Sequence, residues 1–406
     1  MICAVHSDRS GRVVVASDWA AASFDGVTTG PFHDAIPLPA EAAIVPLSGR
    51  EAEGLDHGGR LRRLGAARFA VAAVLPPGWL RLALPAYAEA GQDQPLAPRA
   101  YVAVGADEHG ELVAAAASLD GRPGASAPTD LAARVSATLR ARAANRELRQ
   151  LARCARDYAC RAAANAFMGR DDCALPVGAP QNERAATFIA LRDDRDATPT
   201  EPAAFHPSPE EIADVAAAHL EAGGTLVTFG RACEGEPLLA VREIEDAVRR
   251  IRARAPHATI HLETNGSLPV ALRRLYDAGV DSIAIRLASG RADTYEAIHR
   301  PEGYRFTDVR ASLGEAAGWK VALSLVVLAL PGLTDRPREL DAIVALAGEL
   351  PPGSALVLRD LAADPRRALA LASGDGPLGM RVALERLRAD ASHLVLAANA
   401  RPLARV

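Results

Sequence analysis

The sequence predicts an α/β fold on a parallel sheet, preceded by a smaller β-rich region. Three observations carry this reading. Up to about residue 125, short apolar runs are punctuated by Gly and Pro, as in "RVVVAS", "EAAIVPL" and "ARFAVAAVLP". From Cys173 onward, apolar strand-like runs alternate with amphipathic helices at roughly thirty-residue spacing, the pattern of repeated βα units with helices covering a parallel sheet. The chain has 406 residues, more than the usual single domain, and 49% are hydrophobic, enough for a sizeable core.

Taken in order, residues 1–125 form the β-rich N-terminal domain, closing on "RAYVAVGADEHGELVAAAAS", two apolar runs around a polar turn that predict a hairpin. Residues 126–170 form a helical connector: from Thr129 to about Met168 the sequence is helical, entered through "PTD". On one ideal helix Cys154 and Cys160, six residues apart, point in different directions. Residues 171–400 carry six strand-like runs: "CALPV", "TLVTF", "TIHLE", "SIAIRL", "KVALSLVVL" and "ALVLRDL". The helices between them are expected over 209–221, 241–253, 268–278, 306–317 and 336–349. The first of these opens with a serine cap, Ser208, and a proline in the first turn, Pro209. The polar, proline-rich stretch 192–208 reads as a surface loop. Six units fit either an open doubly wound sheet or a partial barrel.

Composition removes several function classes. A net charge of -4 gives no electrostatic footprint for nucleic acid or an anionic membrane. No apolar run approaches a bilayer span, and "MICAVHSDRS" lacks the charged and apolar regions of a secretory leader, so a cytoplasmic protein is expected. Lys320 is the sole lysine among 46 basic residues, a bias that singles out no arginine for chemistry. The five cysteines Cys3, Cys154, Cys160, Cys173 and Cys233 form no CxxC pair, and an odd count argues against a secreted disulfide framework. No HExxH or Ser/His/Asp spacing assigns a catalytic residue, and no spacing assigns a metal ligand.

In parallel α/β folds ligands sit at the C-terminal strand ends, so those ends are where binding chemistry is sought. Here each end turns from apolar to small and polar. The second strand ends in Glu234-Gly235-Glu236-Pro237: two carboxylates suited to an amine or hydroxyl, a glycine that lets backbone approach a ligand, and a proline fit for a first helical turn. The third ends in "ETNGSLP", where Asn265 serves equally as a turn residue or as a ligand-binding amide. The fourth ends in "RLASGRADTY".

Together, "FGRACEGEPLL", "HLETNGSLP" and "DSIAIRLASGRADTYEAIHRPEGYRFTDV" resemble, in order and spacing, the second to fourth strands of radical S-adenosylmethionine (radical SAM) proteins, over about residues 173–365. The resemblance implies a partial (β/α)6 TIM-like barrel. It implies SAM as a small-molecule ligand, with Glu234-Gly235-Glu236-Pro237 at the amino group of its methionine moiety. Arg286 and Ser289 then approach the ribose and carboxylate. The family also carries a CxxxCxxC motif after strand one, whose thiolates ligate a [4Fe–4S] cluster. Here that loop reads "GAPQNERAATF", which sets Gln181, Ala185 and Phe188 at the cysteine positions, while Asn182 and Arg184 match common flanking residues. An amide, a methyl and a phenyl ring do not replace thiolates, so the resemblance argues against a cluster at the family site.

Three outcomes stand at this stage. The first is a SAM- or nucleoside-binding non-radical enzyme or pseudoenzyme. The second is an active radical SAM enzyme with atypical ligation by Cys154, Cys160 and Cys173. The third is a non-catalytic partner subunit of a cluster-bearing paralogue. Cys154, Cys160 and Cys173 fit buried structural thiols better than a converging ligand set. His299-Arg300-Pro301 reads as a substrate loop or a solvated turn. Asp335 and Arg359 read as pocket residues or as a helix cap and a surface charge. Lys320 opens the fifth strand away from the ligand face.

Overall fold

The structure is a computed structural model that describes residues 1–89, 96–120, 130–158, 160–170, 172–178, 180–187, 203–231 and 235–399. Two sheets organise it. The first, in the N-terminal region, is a twelve-stranded antiparallel sheet among the described residues. Five of its strands, Cys3–Ser7, Val13–Phe24, Ala43–Leu55, Phe69–Val74 and Tyr101–Ala106, pair in a closed ring. The expected hairpin is present, Tyr101–Ala106 pairing with Leu112–Ser118. Small side chains such as Ala73, Ala106, Ala114 and Ala116 fill the interior, which lets these strands pack closely.

The second sheet is wholly parallel, with seven strands in sequential order: β1 (Asp172–Leu175), β2 (Leu226–Phe229), β3 (Thr259–Thr264), β4 (Ser282–Leu287), β5 (Ala322–Ala329), β6 (Ala355–Asp360) and β7 (Val395–Ala398). Sequential order without reversal curls the sheet into a partial (β/α) barrel rather than a doubly wound sheet. The seventh strand goes beyond the six legible in the sequence. It is four residues long and pairs with β6 only.

Between the two sheets lie three helices, α1 (Leu131–Ala141), α2 (Arg146–Asp157) and α3 (Arg161–Met168), where one continuous helix was expected. The first break is at Asn145, whose side chain accepts from the Leu148 amide and donates to the Glu211 carbonyl. That pair of bonds starts a new helix and ties it to α4 (Pro209–Glu221). The second break is at Cys160, in extended conformation at the N-terminus of α3, so Cys154 and Cys160 do not share a helix. Asp130 starts α1 without a side-chain cap bond.

The barrel helices follow as α4, α5 (Val241–Arg254), α6 (Pro269–Ala278), α7 (Ala292–His299), α8 (Phe306–Ala317), α9 (Pro337–Gly348), α10 (Pro365–Leu369) and α11 (Met380–Asp390). Helix α4 carries a full capping box, Ser208 accepting from the Glu211 amide and Glu211 accepting from the Ser208 amide. The main core lies between the outer face of the parallel sheet and these helices. Ile260, Leu262, Ile283, Ile285, Leu325 and Leu358 pack there against Ile212, Ile244, Leu272, Val309 and Leu340. The alternate strand residues turn inward, where the barrel lumen mixes Ala284, Val326 and Val357 with His261, Glu263 and Arg359. Among the described residues no helix is long and apolar enough to cross a membrane. The expected boundary near 125 and most of the 192–208 loop lie outside the described residues.

Candidate functional site

The C-terminal strand ends open into a cleft of about 430 Å³, lined among others by Glu183, Ala185, Gly230, Arg286, His299 and Arg359. Gly230 lines it where the end of β2 passes close to β3. At Gly230, φ is +81° and a Cβ would sit 1.8 Å from the Glu263 carbonyl oxygen, so only glycine lets the end of β2 cross β3 here.

The loop after β1 forms one wall and is fastened at many points. The Glu236 amide donates to the Pro180 carbonyl (2.9 Å), the Glu302 amide to the Asn182 carbonyl (2.8 Å) and the Ala186 amide to the Ile298 carbonyl (2.9 Å). Glu183, 4% exposed, stands at its centre. Its carboxylate accepts from His299 Nδ1 and the Tyr304 hydroxyl, both at 2.8 Å, and Arg286 lies 3.9 Å away. His299 Nε2 accepts from the Ala288 amide (3.0 Å), which assigns the ring proton to Nδ1 and points it at Glu183. Burial pushes the Glu183 carboxyl up, but His299, Arg286 and Tyr304 outweigh it and hold it at about 2. Asn182 and Asn265 lock the loop to the end of β3: Asn265 Nδ2 donates to Asn182 Oδ1 (2.9 Å), and Asn182 Nδ2 donates to Ser267 Oγ (3.0 Å).

The other carboxylate visible to this wall, Glu236, turns inward. It is fully buried, accepting from the Thr264 hydroxyl, the Asn265 amide (2.9 Å), the Leu238 amide (3.1 Å) and Arg286 Nη2 (3.4 Å). Burial raises its pKa despite these donors. Its role here is to cap the short 3₁₀ turn Pro237–Ala240 and join it to β3, and Pro237 occupies the first position of that turn. Gly235 is buried beside it, and Glu234 lies outside the described residues. Ser289 is likewise engaged, donating to Glu339 and accepting from the Arg291 amide (2.9 Å), which anchors the start of α7. Of the expected site residues, therefore, Asn265 and Arg286 meet beside Glu236, while Ser289 braces a neighbouring turn.

Arg286 lines the cleft together with Arg231 and Arg359. Burial works against the Arg286 charge, yet Glu236 and Glu183 outweigh this and raise its pKa above the usual arginine range. Its Nη1 is buried without an acceptor among the described residues. Deeper in the lumen, Arg359 makes a two-pronged contact with Glu263, at 2.5 and 2.9 Å, and Arg231 Nη1 reaches Asp172 at 2.7 Å. These arginines hold the Glu263 carboxyl below the usual range although burial opposes it, while burial first, aided by both arginines, depresses His261 to about 4. Arg359 is thus a cleft residue, not a surface charge. Asp335 is a loop cap instead, accepting from the Gly332 amide at 2.8 Å.

Sequence reasoning missed Glu183 and left His299 open. Their pairing was hidden because they stand 116 residues apart; the accessible signal was an acid between Asn182 and Arg184, the two loop residues that match the family pattern. Three thiols lie elsewhere, and Cys233 lies outside the described residues. Cys154 and Cys173 are buried in the core between helices and sheet, and Cys160 packs against its edge. Burial pushes the Cys173 thiol far above its usual range. Gln181 and Ala185 stand at the start and middle of the loop after β1, and Phe188 lies outside the described residues.

Residues 183–342 match the model of the radical SAM superfamily. Among solved structures, a radical SAM methyltransferase from Sphaerobacter thermophilus is 17% identical, covering 55% of this chain and 64% of its own, with a TM-score of 0.39. Streptococcus suis SuiB bound to the precursor peptide SuiA is 10% identical over 63% of this chain and 53% of its own, with a TM-score of 0.43. The FeFe-hydrogenase maturase HydG from Carboxydothermus hydrogenoformans is 14% identical over 66% and 75%, with a TM-score of 0.39. The chain spans less than two-thirds of the length of the first two. No curated protein matches.

Proposed function

Since the barrel of this chain belongs to the radical SAM superfamily, we propose that its strand-end cleft binds SAM or a related nucleoside without a [4Fe–4S] cluster at the family site. The chain then acts as a non-radical enzyme or pseudoenzyme. The observation that carries this reading is the loop after β1. It offers an amide at Gln181 and a methyl at Ala185 where thiolates would ligate iron, and Glu183 ties it down from within. These residues do not fit a cluster, which needs several thiolates converging on one point. Cys154, Cys160 and Cys173 are a poor substitute: they pack in or against the helix–sheet core, and burial disfavours the thiolate of Cys173 that iron requires.

The same cleft suits the organic ligand. Its volume of about 430 Å³ falls within the range of roughly 300–1,000 Å³ typical of small-molecule sites. Arg286, with Nη1 lacking an acceptor among the described residues, receives the methionine carboxylate. With Glu236 committed to Thr264 and Asn265, the ammonium group falls to Glu234 and the backbone at Gly235, while Pro237 and Glu236 set the shape of that turn. Asn265 orients the wall through Asn182, and Ser289 holds the α7 turn behind it. A cytoplasmic setting, where SAM is made and used, belongs to this proposal.

Calorimetry with SAM tests it. Binding is expected in wild type, and Arg286→Met should weaken it by about tenfold or more, the scale of a charge-assisted contact. No heat and no thermal shift with SAM would contradict the proposal.

A further inference from the structure

A second cavity, of about 590 Å³, lies where the β-rich region meets the loop after β6, and it exceeds the strand-end cleft. Its walls combine two chemistries. Phe24, Leu47 and Leu84 give apolar surface, and Tyr87 and Tyr101 add aromatic rings. Against them stand Arg50, Arg81 and Arg99, with the Arg50 guanidinium 6.0 Å from the Tyr87 ring centroid.

Arg81 is the informative member. It is 1% exposed, so its charge has been carried into the interior. Its Nη1 donates to the Tyr101 carbonyl (3.1 Å) and its Nη2 to the Leu361 carbonyl (3.4 Å), while its Nε is buried without an acceptor among the described residues. Asp360 lies next to it, accepting from its backbone amide at 3.3 Å, and its carboxylate offsets the guanidinium charge. The two carboxylates that line the cavity do not serve it, because Glu89 and Asp364 are both bound to Arg366. With the charge met by Asp360, what remains is the unmet Nε–H beside aromatic rings, a buried donor that is costly until an acceptor completes it.

We propose that this cavity binds a small organic acid with an aromatic body, its carboxylate against Arg81 and Arg99 and its ring among Tyr87, Tyr101 and Phe24. The position gives the site a neighbour. Ala362 lines both this cavity and the strand-end cleft, and Asp360, beside Arg81, lines the cleft. The acid therefore sits one layer of side chains from the proposed nucleoside, although its site stands on its own residues and does not depend on SAM binding.

The test uses the whole chain and two fluorinated probes, 4-fluorophenylacetate and its uncharged counterpart 4-fluorophenylacetamide, followed by fluorine NMR. Two variants, Arg99→Gln and Ala97→Trp, change exposed positions at the cavity and leave its buried members intact. The acid is expected to bind about tenfold or more tighter than the amide, Arg99→Gln to remove about that factor, and Ala97→Trp to abolish binding by occupying the space. Equal affinity for acid and amide, no line broadening by the acid, or unchanged binding in both variants would overturn the proposal.

Discussion

Strand β1 separates two environments that treat ionisable side chains in opposite ways. On its outer face, Cys173 is fully buried in the apolar layer beneath the helices, where burial keeps the thiol protonated. In the loop beyond its C-terminal end, Glu183 is nearly as buried, yet His299, Tyr304 and Arg286 keep it ionised. Depth alone does not decide the charge state; the donors supplied by β4, α7 and the turn after it do. Among the described residues, Cys154 and Cys173 are thus packed on the apolar side, while the loop after β1 is shaped by hydrogen bonds and ion pairs.

The sharpest way to break this contrast is to remove Glu183. Glu183→Ala leaves His299, Tyr304 and Arg286 facing an empty centre, and a loss of about 3–5 kcal/mol in urea unfolding is expected, the scale for breaking one side of a buried charged network. A loss below about 1 kcal/mol would mean that other contacts fasten the loop. The same group sets an acid limb. Its folded pKa, about 2, lies below the unfolded value of about 4.3, so its contribution is present above pH 4.3 and is lost as pH falls through 2. Glu183→Gln should flatten stability over that window when melting is followed against pH.

On the other side of β1, Cys173→Ala should cost about 1–2 kcal/mol through lost packing and leave SAM affinity unchanged. A change in SAM affinity would tie the thiols to the cleft and erase the contrast. The smallest effect is expected at Asp335, where burial, assisted by Asp25, raises the carboxyl to about 6. A raised acid gives stability that is full below the unfolded pKa of about 3.8 and is lost as pH rises through 6. Asp335→Asn, which keeps an acceptor for the Gly332 amide, should therefore stabilise the chain at neutral pH by on the order of 1 kcal/mol, read as a higher melting temperature.

The barrel was legible because its signals are local and repeated. Helix α8 has the expected bounds, and the Ser208–Glu211 capping box sits where the serine and proline place it. The connector was not, because its breaks depend on partners distant in sequence: Asn145 starts α2 while holding the Glu211 carbonyl, 66 residues on. The strand-end residues show the same limit. Their presence was readable but their direction was not, since Glu236 is turned inward by Thr264 and Asn265, and Ser289 by Glu339. A side chain's heading is decided by whichever donors the next strand brings, and no spacing within one strand end encodes that.

Iron and acid-labile sulfide per chain, measured after anaerobic reconstitution and read together with the low-temperature electron paramagnetic resonance spectrum, test the central claim most directly. The account predicts no stoichiometric cluster and no signal that shifts on adding SAM. About four irons per chain, with a spectrum perturbed by SAM, would contradict it.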